Sequence, residues 1–258
     1  MQKNKLNYFK QSVNIVLYFA ISNIKLRFKN TYFGIIWSAL EPLLYFIVLY
    51  VVFTSIRARE NDFAIYLITG IMIFHIFSRG TTGGLSSITS NNGIIQSISI
   101  KREFFPIVAT TTSAILAIVS LGVLLGLMPV FQFIPTYTIF LIPLVLILLF
   151  IMILGISFLL SVSVVLIKDI KLIWPIFSHS LLFISPIFWY VDSAKGILLD
   201  FLKINPLGQL IELAHKLVID GEIPPLNDWL YTTAWVFGIL FFGYFIFKIL
   251  QERIVEEL

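Results

Sequence analysis

Residues Thr138–Ile167 read TIFLIPLVLILLFIMILGISFLLSVSVVLI, a run with no ionisable side chain and only threonine and serine hydroxyls for polarity. A helix crosses the hydrocarbon of a bilayer in about 20 mainly apolar residues. A stretch this long and this apolar belongs inside a membrane, and Pro143 within it predicts a kink or a tilt. Working outward, five further stretches meet the same criterion. Tyr32–Ile56, Phe63–Ser78 and Ile107–Leu127 precede it, and Leu172–Tyr190 and Trp229–Leu250 follow it. Phe63–Ser78 is short, but the small and hydroxyl side chains of Gly80–Leu85 can extend it past Arg79.

The composition agrees with this reading. Of 258 residues, 59% are hydrophobic and 12% charged, the latter about half of what a soluble domain carries. A soluble surface could not be built from so few polar side chains. Disorder is excluded by the same balance, and a disulfide-stapled secreted fold by the absence of cysteine. The net charge of +4 does not point to nucleic acid, because the basic residues lie at the ends of apolar runs rather than in one patch. The expectation is an all-α integral membrane protein with six transmembrane helices, forming one domain over residues 1–258.

Lysine and arginine accumulate on the cytoplasmic side of membrane proteins. Lys3, Lys5, Lys10, Lys25, Arg27 and Lys29 precede the first span. Lys101 and Arg102 follow the second, Lys168 and Lys171 the fourth, and Lys248 and Arg253 close the sixth. On the other side, Arg57 and Arg59 are balanced by Glu60 and Asp62, and Met128–Tyr137 is uncharged. Lys195, Lys203 and Lys216 stand among six acids in the fifth loop. Both termini are therefore expected in the cytoplasm.

Val13–Ile21 is too short to span, and signal cleavage near Ser22 would leave Lys25, Arg27 and Lys29 on the outer face. Residues 1–30 read instead as a helix in the cytoplasmic interface, apolar through Val13, Val16, Leu17, Ala20 and Ile24 and in contact with membrane lipid. Residues 32–190 hold the first five spans, 229–250 the sixth and 251–258 a cytoplasmic tail. Between them, 191–228 form an outer segment with two short amphipathic pieces, Ala194–Ile204 and Pro206–Ile219, divided by Asn205-Pro206. Short helices re-entering the outer leaflet suit such a segment.

The sequence contains no phosphate loop, no H-E-x-x-H, no G-x-S-x-G and no cysteine nucleophile. His75, His179 and His215 lie on separate segments without ligand spacing, so no metal site and no catalytic residue is expected.

The stretch Arg27-Phe28-Lys29-Asn30-Thr31-Tyr32-Phe33-Gly34-Ile35-Ile36-Trp37-Ser38, followed by Leu40-Glu41-Pro42-Leu43, resembles the permease subunits of type-2 ABC exporters. More narrowly it resembles those exporting O-antigen, capsule and teichoic-acid polysaccharides. Lys101-Arg102-Glu103-Phe104-Phe105-Pro106, the Lys168-Asp169-Ile170 turn and Asn205-Pro206 agree in order and spacing. One departure is Glu41, where many relatives carry Asn before the proline. The resemblance implies a homodimer in the plasma (inner) membrane, working with two copies of a separate ABC ATPase that holds ATP and Mg. It implies no cofactor in this chain. It further implies a coupling helix after the second span, and a channel between protomers for a lipid-linked polysaccharide.

Within that frame, Asn92-Gly93-Ile94-Ile95-Gln96-Ser97 is the candidate ATPase-coupling element: short, cytoplasmic, and carrying a paired apolar knob. Glu41 lies about 14 Å into the first span at 1.5 Å per residue. It is either a glycan contact or a carboxylate paired with a nearby Arg or Lys. Phe46, Tyr50 and Phe53 share one helix face, and Phe183, Phe188, Trp189 and Tyr190 cluster at the end of the fifth span. Sugar C–H faces pack on aromatic rings, so these rows suit a glycan channel, while an interfacial belt is the alternative for Trp189 and Tyr190 and the favoured one for Trp229. Gly122 and Gly126 form a G-x-x-x-G pair explained by close helix packing, within the chain or across the dimer. Two other functions share parts of the pattern: a type-2 ABC exporter of a drug or lipid, and an integral-membrane acyl- or glycosyltransferase. The second would need a catalytic pairing in the acid-rich segment Asp192–Asp228, and the sequence shows none.

Overall fold

The computed structural model describes residues 2–56, 62–97 and 100–252, and all regular structure among them is helical. The chain is a multi-pass membrane protein. Ten α-helices follow in order: α1 Gln2–Arg27, α2 Trp37–Ile56, α3 Phe63–Ser86, α4 Asn92–Ser97, α5 Phe104–Val130, α6 Ile142–Leu166, α7 Ile170–Ile184, α8 Ile197–Ile204, α9 Pro206–His215 and α10 Leu226–Leu250. Five helical stretches are long and apolar enough to cross a bilayer: Gly34–Thr54, Phe63–Ser86, Phe104–Val130, Tyr137–Leu166 and Leu226–Leu250. The place of the remaining expected span is taken by α7, an apolar helix of 15 residues. Arg57, Arg59, Glu60 and Arg253, used above for orientation, lie outside the described residues, as does most of the 251–258 tail.

Two prolines act differently from the expectation. Pro143 does not kink a helix; a 3-10 turn over Tyr137–Leu141 precedes it, and it sits in the first turn of α6. A proline there loses no hydrogen bond, because the first N–H groups of a helix have no intrahelical partner. Pro186 ends the fifth apolar stretch early. Ser185 before it is extended, with ψ 152°, as steric clash with the proline ring requires, so residues 185–190 do not continue α7.

α3 is the centre of the bundle. Every side chain from Phe63 to Phe77 is buried, with α5 and α6 along its flanks, α2 also against it and α9 against its N-terminal half. Its Gly84 meets Ser157 of α6 so closely that a Cβ would overlap the serine side chain. α10 packs along α6, and the two backbones meet at Gly155 and Gly243. Gly122 and Gly126 do not pack closely within the chain: nothing lies within 4 Å of a Cβ built at either. α1 runs along α5, with Phe19 edge-on to Phe104 at 5.3 Å and Ala20 and Ile24 buried, while Val13 and Leu17 remain exposed.

Candidate functional site

Glu41 projects from the start of α2 toward two residues one turn apart on α3. Arg79 Nη2 donates to Glu41 Oε2 at 2.7 Å, and His75 Nδ1 stands 3.8 Å from Oε1. Tyr45 meets the His75 ring edge-on at 4.6 Å. Glu41 is thus a paired carboxylate rather than an isolated one. It remains 46% exposed, on the wall of a cavity of about 320 Å³ that Arg27, Trp37 and Arg79 also line.

The aromatic rows divide into separate groups. Phe46 and Tyr50 stack at 5.4 Å, and Phe131 from the end of α5 closes edge-on over both. Phe53 lies parallel to Phe188 at 5.1 Å, and Phe183 leans on Phe188 at 5.8 Å. Phe46 and Phe188 are 4% and 6% exposed, buried within this chain. Their neighbours on every side are apolar, which explains why they close inward. Tyr50, Phe53, Trp189 and Tyr190 are half-buried, and Phe183 is largely exposed.

Asn92–Ser97 folds as the short helix α4, after a 3-10 turn over Thr89–Asn91. Ile94 and Ile95 are partly covered by their own chain. Both are half-buried against a cluster formed by Ile88, Phe105, Phe158, Val162, Val165 and Phe247, and they tie the helix to α5, α6 and α10. Gly93, Gln96 and Ser97 form its exposed face.

The two amphipathic pieces form α8 and α9, as their pattern required. Asn205 between them is buried and donates from Nδ2 to Ser185 Oγ at 3.0 Å. His215 ends α9 against α3: its ring stacks on Tyr66 with centroids 3.6 Å apart, and Nε2–H donates to the Tyr66 carbonyl at 3.0 Å. Burial pushes the His215 pKa down to about 3 despite that carbonyl, so the ring is neutral. Tyr66 OH donates to the Trp189 carbonyl at 2.7 Å, with the Pro186 carbonyl 3.0 Å away. One turn before His215, burial raises Glu212 to about 7, with Asp220 adding to the effect and Lys216 opposing it. Lys216 itself pairs with Asp228 at 3.0 Å.

Sequence reasoning missed Tyr66 and Phe131, and it anticipated a cationic partner for Glu41 without naming Arg79. Arg79 did carry a signal, as a cation inside an otherwise apolar stretch.

The profile of the family described as ABC-2 type transporter matches residues 16–218. The chain belongs to the ABC-2 type transporter family. The matched part runs from within α1 to beyond α9 and contains Glu41, Asn92–Ser97 and the aromatic rows from Phe46 to Tyr190. Membership in the ABC-2 type transporter family implies a partner ATPase, in keeping with the missing nucleotide motif. Several curated relatives of this ABC-2 transporter align over most of its length. It is 24% identical over 239 residues to an O-antigen export system permease protein RfbA of Klebsiella pneumoniae, 92% of each chain. Against RfbA of Myxococcus xanthus it is 21% identical over 242 residues, 91% of this chain and 92% of the relative. To the polysialic acid transport protein KpsM of Escherichia coli it is 26% identical over 245 residues, 92% of this chain and 93% of the relative.

Proposed function

We propose that this chain is the permease subunit of an ATP-driven exporter that moves a lipid-linked polysaccharide, of O-antigen, capsule or teichoic-acid type, across the plasma membrane. The observation that carries this reading is the near end-to-end correspondence with permeases named for O-antigen and for polysialic acid. Two chains pair with two ATPase subunits, which bind ATP and Mg; this chain supplies no nucleotide site. α7 is the fifth of six spans, both termini face the cytoplasm, α1 lies in the inner interface, and α8 and α9 re-enter from outside. α4 meets the ATPase. Tyr50, Phe53, Phe183, Trp189 and Tyr190, supported from behind by Phe46 and Phe188, offer ring faces along the path. Glu41 holds Arg79 in place at its inner end.

The test is deletion of this chain in its own cell, followed by staining of surface and cytoplasmic polysaccharide. Polysaccharide should disappear from the surface and accumulate inside, and return with the restored gene. Unchanged surface polysaccharide, with altered efflux of a drug or simple lipid, would overturn the reading.

A further inference from the structure

A second cavity, of about 590 Å³, lies between α1, the end of α3 with the turn that follows, and the beginning of α5. Phe19, Phe104 and Phe105 provide apolar wall, and Ser87 and Thr112 are among its hydroxyls. Among the described residues that line it, none is acidic. Arg27 and Arg79 line both this cavity and the one beside Glu41, and so form the partition between them.

The partition is short of negative charge. Arg79 turns Nη2 to Glu41, while its Nε is enclosed and has no hydrogen-bond partner. A buried N–H left unpaired is destabilising, so a native structure that keeps one usually has a missing acceptor. Arg27, at the inner end of α1, is held near enough to feel that charge: burial and the Arg79 cation both lower its pKa, and Glu41 alone raises it. Two guanidinia share one carboxylate, which leaves one positive charge in excess.

Guanidinium N–H groups only donate, and phosphate oxygens only accept, in a geometry the planar fork matches. We propose that Arg27 and Arg79 form a binding site for the phosphate or diphosphate headgroup of a membrane lipid, with the phenylalanine wall against the start of its hydrocarbon chain. The identification of that lipid with the carrier of the exported polysaccharide rests on the exporter reading; recognition of the headgroup does not.

The probe is labelled farnesyl diphosphate, equilibrated with the permease–ATPase complex in phosphatidylcholine nanodiscs, with farnesol as the uncharged control. R27Q and R79K should each weaken diphosphate binding about tenfold, the scale of one charged hydrogen bond, and leave farnesol unaffected. R79K keeps a cation beside Glu41, so the fold is retained. E41Q releases Arg79 from its carboxylate and should tighten diphosphate binding, a result that a purely structural Arg79 would not give. Competition by added phosphatidylglycerol assigns the site to bulk anionic lipid, and its failure to compete assigns it to a carrier diphosphate; each supports the headgroup site. Wild-type diphosphate affinity in both R27Q and R79K, or farnesol binding as tightly as the diphosphate, overturns it. Binding is read without transport, so it separates failure of this site from failure of the exporter reading.

Discussion

Gly155 and Gly243 meet where α10 crosses α6, and a methyl group on Gly243 would clash with the Gly155 carbonyl oxygen. A Cβ built on Gly155 would lie 2.6 Å from the Leu240 Cα. Backbone cannot yield as a flexible side chain can, so the axes themselves would have to separate. Gly155→Ala and Gly243→Ala should therefore destabilise the protein by at least the ~1–3 kcal/mol typical of overpacking, read as a lower melting temperature in detergent. Gly238→Ala is the control on α10, since nothing lies within 4 Å of its added methyl. Equal melting of all three would contradict the contact.

α9 carries two titrations of opposite sign. Glu212 is raised from 4.5 to about 7, so the folded state holds its proton longer than the unfolded one, and stability falls as pH rises from 4.5 to 7. His215 is lowered from 6.5 to about 3, so stability falls as pH drops through that interval. Between pH 4.5 and 6.5 the two oppose each other. Glu212→Gln should be more stable than wild type at pH 7.5, and it should lose stability on acidification from 6.5 to 4.5 more steeply. A parallel pair of melting curves against pH would refute this assignment.

Phe46 and Tyr50 touch each other yet should behave differently on truncation. Phe46→Ala opens a cavity in the core and should cost about 3–5 kcal/mol, seen as poor accumulation of folded protein. Tyr50→Ala and Trp189→Ala should fold, assemble and hydrolyse ATP with the partner, but export less polysaccharide. Tyr50→Phe should be nearly silent, since the ring face is the proposed contact. Normal export by the Tyr50 and Trp189 truncations would assign those rings to the lipid boundary.

The exposed face of α4 can be tested without background, because the chain has no cysteine. Gln96→Cys and Ser97→Cys should crosslink to the ATPase through a short bis-maleimide, and Ser180→Cys on α7 should not. Replacing Ile94 and Ile95 together with Asp should detach α4 from its own cluster and lower both melting temperature and coupled ATPase activity. Crosslinking from Ser180→Cys but not Gln96→Cys would place the partner elsewhere.

What was legible in the sequence was what depends on local composition. The apolar run Thr138–Ile167 identified itself, and the amphipathic pattern in 194–219 foretold α8 and α9. What was not legible depends on contacts between distant positions. G-x-x-x-G at Gly122 and Gly126 advertised a close approach that does not occur within the chain, while the real one joins Gly155 to Gly243, which no local motif marks. Glu41 and Arg79 are 38 positions apart, so the cation that would balance Glu41 could be expected but not named. Hydropathy alone ran the fifth stretch to Tyr190, because it registers that Ile187 and Phe188 are apolar and not that Pro186 has stopped the helix. The contacts that Ile94 and Ile95 make within the chain were not legible for a related reason: an apolar pair on a short helix reads the same whether it faces a partner or its own chain.

The length of α7 has a consequence for the lipid around it. Fifteen residues at 1.5 Å each make a rod of about 22 Å, against roughly 30 Å of hydrocarbon. In the proposed six-span arrangement the rest of the distance would fall to the open backbone from Pro186 to Tyr190, two of whose carbonyls face the Tyr66 hydroxyl. With α7 as the proposed fifth span, acyl chains lying against this flank would have to shorten or splay, and the oily layer would be pinched there. A hydrophilic polymer leaving beside α7 would have less oil to clear than anywhere along the full-length helices.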